Sequence, residues 1–257
     1  MNTNLNHPWF AIGFRHALLI PFIVFCSTIL FAQGTAAKKS VLIDIAHGQK
    51  FYNDPARMTG DTALIQRIKY MTGELKKNAA AQNAEVSYQT GSLTADALAK
   101  TDLLFIHMPG SKYSEDEIKA IGQYLNKGGS LFIVMEEDAW STLEQVNVND
   151  IVTPFGIVFK ENSPNKQSGG YSKEGSITKK RFSIPRHGAR IVEGGTPFCY
   201  SVVSEEQPFG VYKEVKNGGK IIAMGEGMVS LYMTSWQGVN NYQCSEFMGD
   251  VVGWLLK

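Results

Sequence analysis

VLIDIAHGQKFYNDP, residues 41–55, decides how the chain is read. Val41 to Ala46 is an apolar run of strand length that passes without a break into a polar loop. A short, continuously apolar strand is the kind buried on both faces of a parallel sheet. The loop places His47, Gln49, Lys50, Tyr52, Asn53 and Asp54 at the strand's carboxyl end. Ligands of open α/β sheets bind outside the carboxyl ends of the strands, so any site is expected there.

Outward from this strand, TALIQRIKYMTGELKKN (residues 62–78) repeats Leu64, Ile65, Ile68, Met71 and Leu75 at helical spacing. A second strand is predicted at 84–89, a short helix at 94–98 and a third strand, DLLFIH, at 102–107. Ser114 and Glu117 form a capping box for a helix over 115–126, which ends at Gly128-Gly129. SLFIVM at 130–135 is a fourth strand. This alternation of strand and helix predicts a doubly wound, mostly parallel α/β sheet. From residue 142 to about 208 the pattern loosens into an irregular, β-rich insertion, with a Gly/Ser/Asn/Lys-rich loop over 161–176. Order returns with a strand near 209–215, KIIAM at 220–224 and a closing helix over about 244–256.

The first 33 residues read as a secretory leader. Arg15 and His16 precede an uncharged run from Ala17 to Ala32, with cleavage expected near Ala32 or Gly34. An uncleaved anchor is the rival reading. Residues 34–257 then make a single domain. Beyond the leader, basic and acidic side chains balance, which excludes the electrostatic footprint of a nucleic-acid binder. Cys199 and Cys244 could pair or remain separate buried thiols, and no spacing suggests structural zinc.

Several strand ends deliver polar groups to the same edge. The first brings His47, Gln49 and Tyr52; the third brings His107, followed by Lys112 and Tyr113. The fourth brings Glu136 and Glu137, and the strand at 220–224 brings Glu226. Each has a bland reading. His47 could bond loop backbone, His107 could be a satisfied core histidine, and the glutamates could cap the next helix. Trp236 and Tyr242 could stack on a sugar or simply pack. His187, with Arg186 and Arg190, reads as a solvated face.

VLIDIAHGQ, YSEDEIKAIGQYLNKGGSLFIVMEED and GGKIIAMGEG with the closing VVGWLLK resemble the class I glutamine-amidotransferase-like superfamily. The likeness is to its non-amidotransferase branch of secreted and gliding-motility-type proteins. That resemblance implies a glutamine-amidotransferase-like (flavodoxin-like) sheet. It does not imply amidotransferase chemistry, because the strand ending His107-Met108-Pro109-Gly110 carries no cysteine nucleophile. The exported chain is also similar to the oligosaccharide dehydratases of ulvan degradation in marine Bacteroidetes. This second resemblance implies a lyase that eliminates water from a non-reducing-end glucuronic or iduronic acid, giving a 4,5-unsaturated uronate.

Under that reading His47 and His107 serve as base and acid, with Tyr52 or Tyr113 as an alternative acid. Lys112 or Gln49 holds the substrate carboxylate, and Glu136, Glu226 and Trp236 complete the substrate site. No cofactor is implied; a divalent metal on His47, His107 and Glu226 is left open. The expected partner is an acidic oligosaccharide, with no nucleic acid and no stable membrane insertion after leader removal. The expected location is periplasmic, with secretion as the alternative. The competing function is a non-catalytic amidotransferase-like module that binds a glycan or a partner protein.

Overall fold

The computed structural model describes residues 37–165 and 167–257, so the expected leader lies outside the described residues. The first half alternates β1 (Lys39–Asp44), α1 (Thr62–Ala80), β2 (Ala84–Gln89), α2 (Ala95–Leu98), β3 (Leu103–His107), α3 (Glu115–Asn126) and β4 (Ser130–Val134). Next come α4 (Val148–Val152), β5 (Val158–Asn162), β6 (Gly170–Ser172), β7 (Phe182–Ile184), β8 (Arg190–Glu193) and β9 (Thr196–Ser201). The chain closes with β10 (Gly210–Glu214), β11 (Lys220–Met224), α5 (Met228–Leu231) and α6 (Cys244–Leu255).

Nine strands form one mixed sheet in the order β2-β1-β3-β4-β11-β10-β9-β6-β7. The first five are parallel and the last four antiparallel. The coarse expectation of an α/β architecture on a largely parallel sheet therefore holds. The insertion is more ordered than its sequence suggests. β6, β7 and β9 extend the main sheet, while β5 and β8 pair separately as a two-stranded sheet.

Local chemistry explains where the helices start. Asp61 caps α1, its side chain accepting from the amides of Ala63 and Leu64. The expected box at α3 forms in full, with Ser114 accepting from the Glu117 amide and Glu117 reaching back to the Ser114 amide. One expected inward residue of α1 is exposed: Leu64 keeps 39% of its surface, because the buried stripe runs through Arg67, Ile68, Met71 and Leu75 instead.

The sheet is buried on both faces. Along β3, Leu103 and Phe105 join one apolar layer with residues of α1 and α6, while Leu104 and Ile106 join the other with residues of α3 and α4. Alternate residues of a strand point to opposite faces, so an unbroken apolar run is what two covered faces demand. Phe105 stacks on Phe132 at 4.9 Å and meets Tyr52 edge-on at 4.8 Å. This packing fixes the carboxyl ends of β1, β3, β4 and β11 along one edge.

Candidate functional site

At the end of β1, Asp44 and His47 build a buried ionic knot. Asp44 is fully buried and accepts from the Ala46 amide (3.0 Å), the Tyr113 hydroxyl (2.7 Å) and His47 Nδ1 (2.9 Å). The other ring nitrogen, Nε2, lies 3.5 Å from Glu117 of α3, and Tyr113 stacks on the imidazole at 3.9 Å. Burial alone would lower the His47 pKa, but the two carboxylates outweigh it and hold the value raised. Burial and the Asp44 carboxylate push the Tyr113 hydroxyl well above its usual range. Two carboxylates that favour the charged form of the ring make His47 a tie between β1 and α3, with both ring nitrogens engaged.

Gln49 knits the next strand. Its amide donates to the Asp44 carbonyl, and its oxygen accepts from the His107 amide at 2.9 Å. The His107 ring is fully enclosed among Phe51, Tyr52 and Phe105 at 6.3, 4.9 and 5.6 Å, and burial pushes its pKa down to about 3. Neither of its ring nitrogens completes a hydrogen bond among the described residues, nor does the buried Tyr52 hydroxyl. Burial holds that hydroxyl above its ordinary pKa. The next residue, Met108, turns the strand end with φ 49°, a left-handed conformation uncommon for a non-glycine residue. Its buried thioether fills the space beside Gly227 that a Cβ there would need.

Two carboxyls close the ends of β4 and β11. Glu136 accepts from the amides of Glu137 (3.0 Å) and Gly227 (2.6 Å); Glu226 accepts from those of His187 (2.7 Å) and Met228 (3.0 Å). The two side chains also hydrogen-bond to each other, which requires a shared proton. Burial first, and then the adjacent Glu136, hold Glu226 well above the usual carboxylate range. Burial likewise raises Glu136. The pair thus latches three loops together: the one after β4, the one after β11 and the segment leading into β8. Arg190 reinforces the latch, donating to Asp138 and to the Ser141 carbonyl from β8.

Above the latch lies a cleft of about 410 Å³. Phe51 and Trp140 form one aromatic pair, with centroids 5.1 Å apart, and Tyr232 stacks on His187 at 5.9 Å. Trp236 sits on a tight turn closed by reciprocal hydrogen bonds with Val239, with Gln237 and Gly238 both at positive φ. Consecutive positive φ values mark the hairpin turn type that suits a twisted ribbon. Arg67 of α1 lies 4.5 Å from the Trp236 ring centroid and donates to Thr234 and to the Ser235 carbonyl. The platform is therefore held from below. Burial lowers the His187 pKa, which keeps this exposed imidazole neutral near pH 7.

Of the residues expected from sequence, Glu136 and Trp236 line this cleft, and Glu226 lies directly beneath Glu136. His47, Tyr113 and Gln49 belong to the knot behind it, His107 and Tyr52 to the aromatic core, and Lys112 to exposed surface. No group of three or more His, Cys, Asp or Glu converges on a metal-sized site among the described residues, so His47, His107 and Glu226 do not meet. Cys199 and Cys244 are buried, separate thiols. Sequence reasoning missed Asp44, Phe51, Arg67 and Tyr232. An aspartate inside an apolar strand was the one legible signal among them.

Comparison with known proteins overturns several expectations. A family model described as the IFT52 GIFT domain matches residues 64–169. Among solved structures, the mmIFT52 N-terminal domain is similar with TM-score 0.57 and 16% identity, over 84% of this chain and 97% of that one. Cytoplasmic Protein STM1381 from Salmonella typhimurium LT2 gives TM-score 0.55 and 15% identity, over 83% and 98%. Cytoplasmic Protein STM3548 from Salmonella typhimurium gives 0.54 and 13%, over 83% and 95%. Among curated protein sequences, none matches the chain.

These findings replace the amidotransferase-like assignment with a GIFT-type one. They also remove the ulvan dehydratase reading, and with it the lyase activity, since the family match is to the IFT52 GIFT domain and the structural neighbour is the mmIFT52 N-terminal domain. The roles of His47, His107, Tyr52 and Tyr113 in that elimination fall with it. The periplasmic placement is set aside on the same grounds. No helix among the described residues is long and apolar enough to cross a membrane. The chain thus shares the fold of the mmIFT52 N-terminal domain, with the GIFT-domain model matching within it over residues 64–169.

Proposed function

We propose that the chain is a non-catalytic GIFT-type module that binds a ligand in the cleft over β4 and β11. One observation carries the reading: the two histidines and the two buried glutamates delivered to this edge by β1, β3, β4 and β11 are spent on structure. His47 is held between Asp44 and Glu117, His107 is enclosed by aromatic rings, and Glu136 and Glu226 serve backbone amides. The turn after β3, where a strained corner could expose a nucleophile, carries the buried thioether of Met108. The cleft has the size and mixed lining of small-molecule sites, which run to roughly 300–1,000 Å³. We also read the five parallel strands, with helices on both faces, as a doubly wound, flavodoxin-like half-sheet.

The test is turnover. Purified protein incubated with ester, amide, glycoside and uronate-ended oligosaccharide panels should release no product above buffer. Turnover that disappears in Glu136→Gln would overturn the non-catalytic reading.

A further inference from the structure

Resting on the reading of the cleft as a binding site, we infer that its ligand is an uncharged pyranose at the end of a saccharide. The argument begins with shape. A cleft of 410 Å³ falls in the range of small-molecule sites, roughly 300–1,000 Å³, and one or two sugar rings are of that scale.

The lining gives the chemistry. Trp236 and Trp140 present amphipathic aromatic surface, suited to a ring that is apolar on its C–H face and polar at its edge. Trp140 keeps 38% of its surface exposed at the rim. The same lining carries planar polar groups that pair with hydroxyls: Gln237 and the neutral imidazole of His187. Arg67 adds a cation that meets no carboxylate within ion-pair distance among the described residues. Although 3% exposed, it lines the cleft, and its Nε–H makes no hydrogen bond. That Nε–H is closed off from the cleft, so Arg67 serves the site by holding the Trp236 turn in place.

Charge selects against ionic ligands. The Glu136–Glu226 pair shares a proton, Glu137 adds a carboxyl, and the Arg67 and Arg186 guanidiniums lie on the cleft and beside Glu226. These opposing charges leave no strong excess of either sign. An apolar side chain of a partner protein would cover these polar groups without supplying hydrogen bonds, whereas a sugar supplies one at nearly every carbon. The platform is also fixed before the ligand arrives, by the Trp236–Val239 turn and by Arg67 beneath, which lowers the ordering cost of binding.

The experiment is titration of the full chain with methyl pyranosides and short neutral oligosaccharides, followed by tryptophan fluorescence and calorimetry. Glucuronate and an apolar peptide serve as comparison ligands. At least one neutral pyranose series should bind, and Trp236→Ala should weaken it by about tenfold or more. Trp140→Ala, at the partly exposed rim, should weaken the same ligand while circular dichroism stays unchanged. No neutral saccharide binding at tens of millimolar, or binding indifferent to both variants, would overturn the inference. Tighter binding of glucuronate or of the peptide in the same cleft would sink the ligand class while leaving the module reading intact. Conversion of a bound saccharide would overturn the module reading itself.

Discussion

Replacing Glu226 by glutamine should flatten the protein's loss of stability in alkali. Glu226 is fully buried, shares a proton with Glu136, and has a folded-state pKa well above its ordinary value. Between the unfolded value near 4.5 and the raised folded value, the native state holds a proton that the unfolded chain has released. The latch therefore contributes fully below about pH 4.5, and its contribution is lost as pH rises through the folded pKa. One extra native proton corresponds to a loss of about 1.4 kcal/mol per pH unit across that window.

Glutamine has nearly the same shape and no proton to lose, but its single oxygen can accept from only one of the His187 and Met228 amides; beyond that constant cost, Glu226→Gln should unfold along a flatter curve. Urea titrations at pH 5, 7 and 9 should show the stability difference moving in favour of the variant as pH rises. Other groups titrate over this range, so the difference between the two proteins is the informative quantity. Glu226→Ala separates charge from hydrogen bonding. It strips the acceptor from the His187 and Met228 amides, at ~1–3 kcal/mol each, so roughly 2–6 kcal/mol at every pH. If the gap between wild type and Glu226→Gln is the same at pH 5 and 9, the shared proton is wrong.

Three further outcomes follow from the same geometry. His47→Gln should lose the stability that wild type holds below about pH 6.5 and sheds as pH rises through the raised His47 pKa; thermal melts at pH 5.5 and 8.5 should converge at the higher pH. Phe105→Ala removes the ring packed between Phe132 and Tyr52 and should cost about 3–5 kcal/mol in denaturant unfolding, with a loss below 1 kcal/mol refuting the packing argument. Arg67→Met keeps the aliphatic stem but frees the Thr234–Trp236 turn. It should cost roughly 1–3 kcal/mol and speed amide exchange over residues 234–239, and unchanged exchange there would show that the turn stands without Arg67.

The part of this protein written locally was readable from sequence. β1, β3, β4 and β11 are built around apolar stretches that suit burial on two faces. Ser114 and Glu117 announced the start of α3, and parallel strand order followed from strand and helix alternation, which located the carboxyl edge. The insertion was illegible because three-residue strands such as β6 and β7 carry little periodicity and gain their identity from distant partners.

The same division runs through the site. Sequence placed His47, His107, Glu136 and Glu226 near one edge, because a strand's direction fixes where its end lies. What each group could do depended on its surroundings: Glu117 comes to His47 from α3, and aromatic rings from the loop after β1 and from β3 itself close around His107. The two glutamates, 90 positions apart in the chain, share a proton only because β4 and β11 are neighbours. Strand composition determined that VLIDIAHGQ is a buried strand opening on a polar loop. Tertiary contacts alone decided that its histidine is a tie and that the open cleft lies beside it, over β4 and β11. Protonation and exposure are set by neighbours in space, and a single sequence orders neighbours only along the chain.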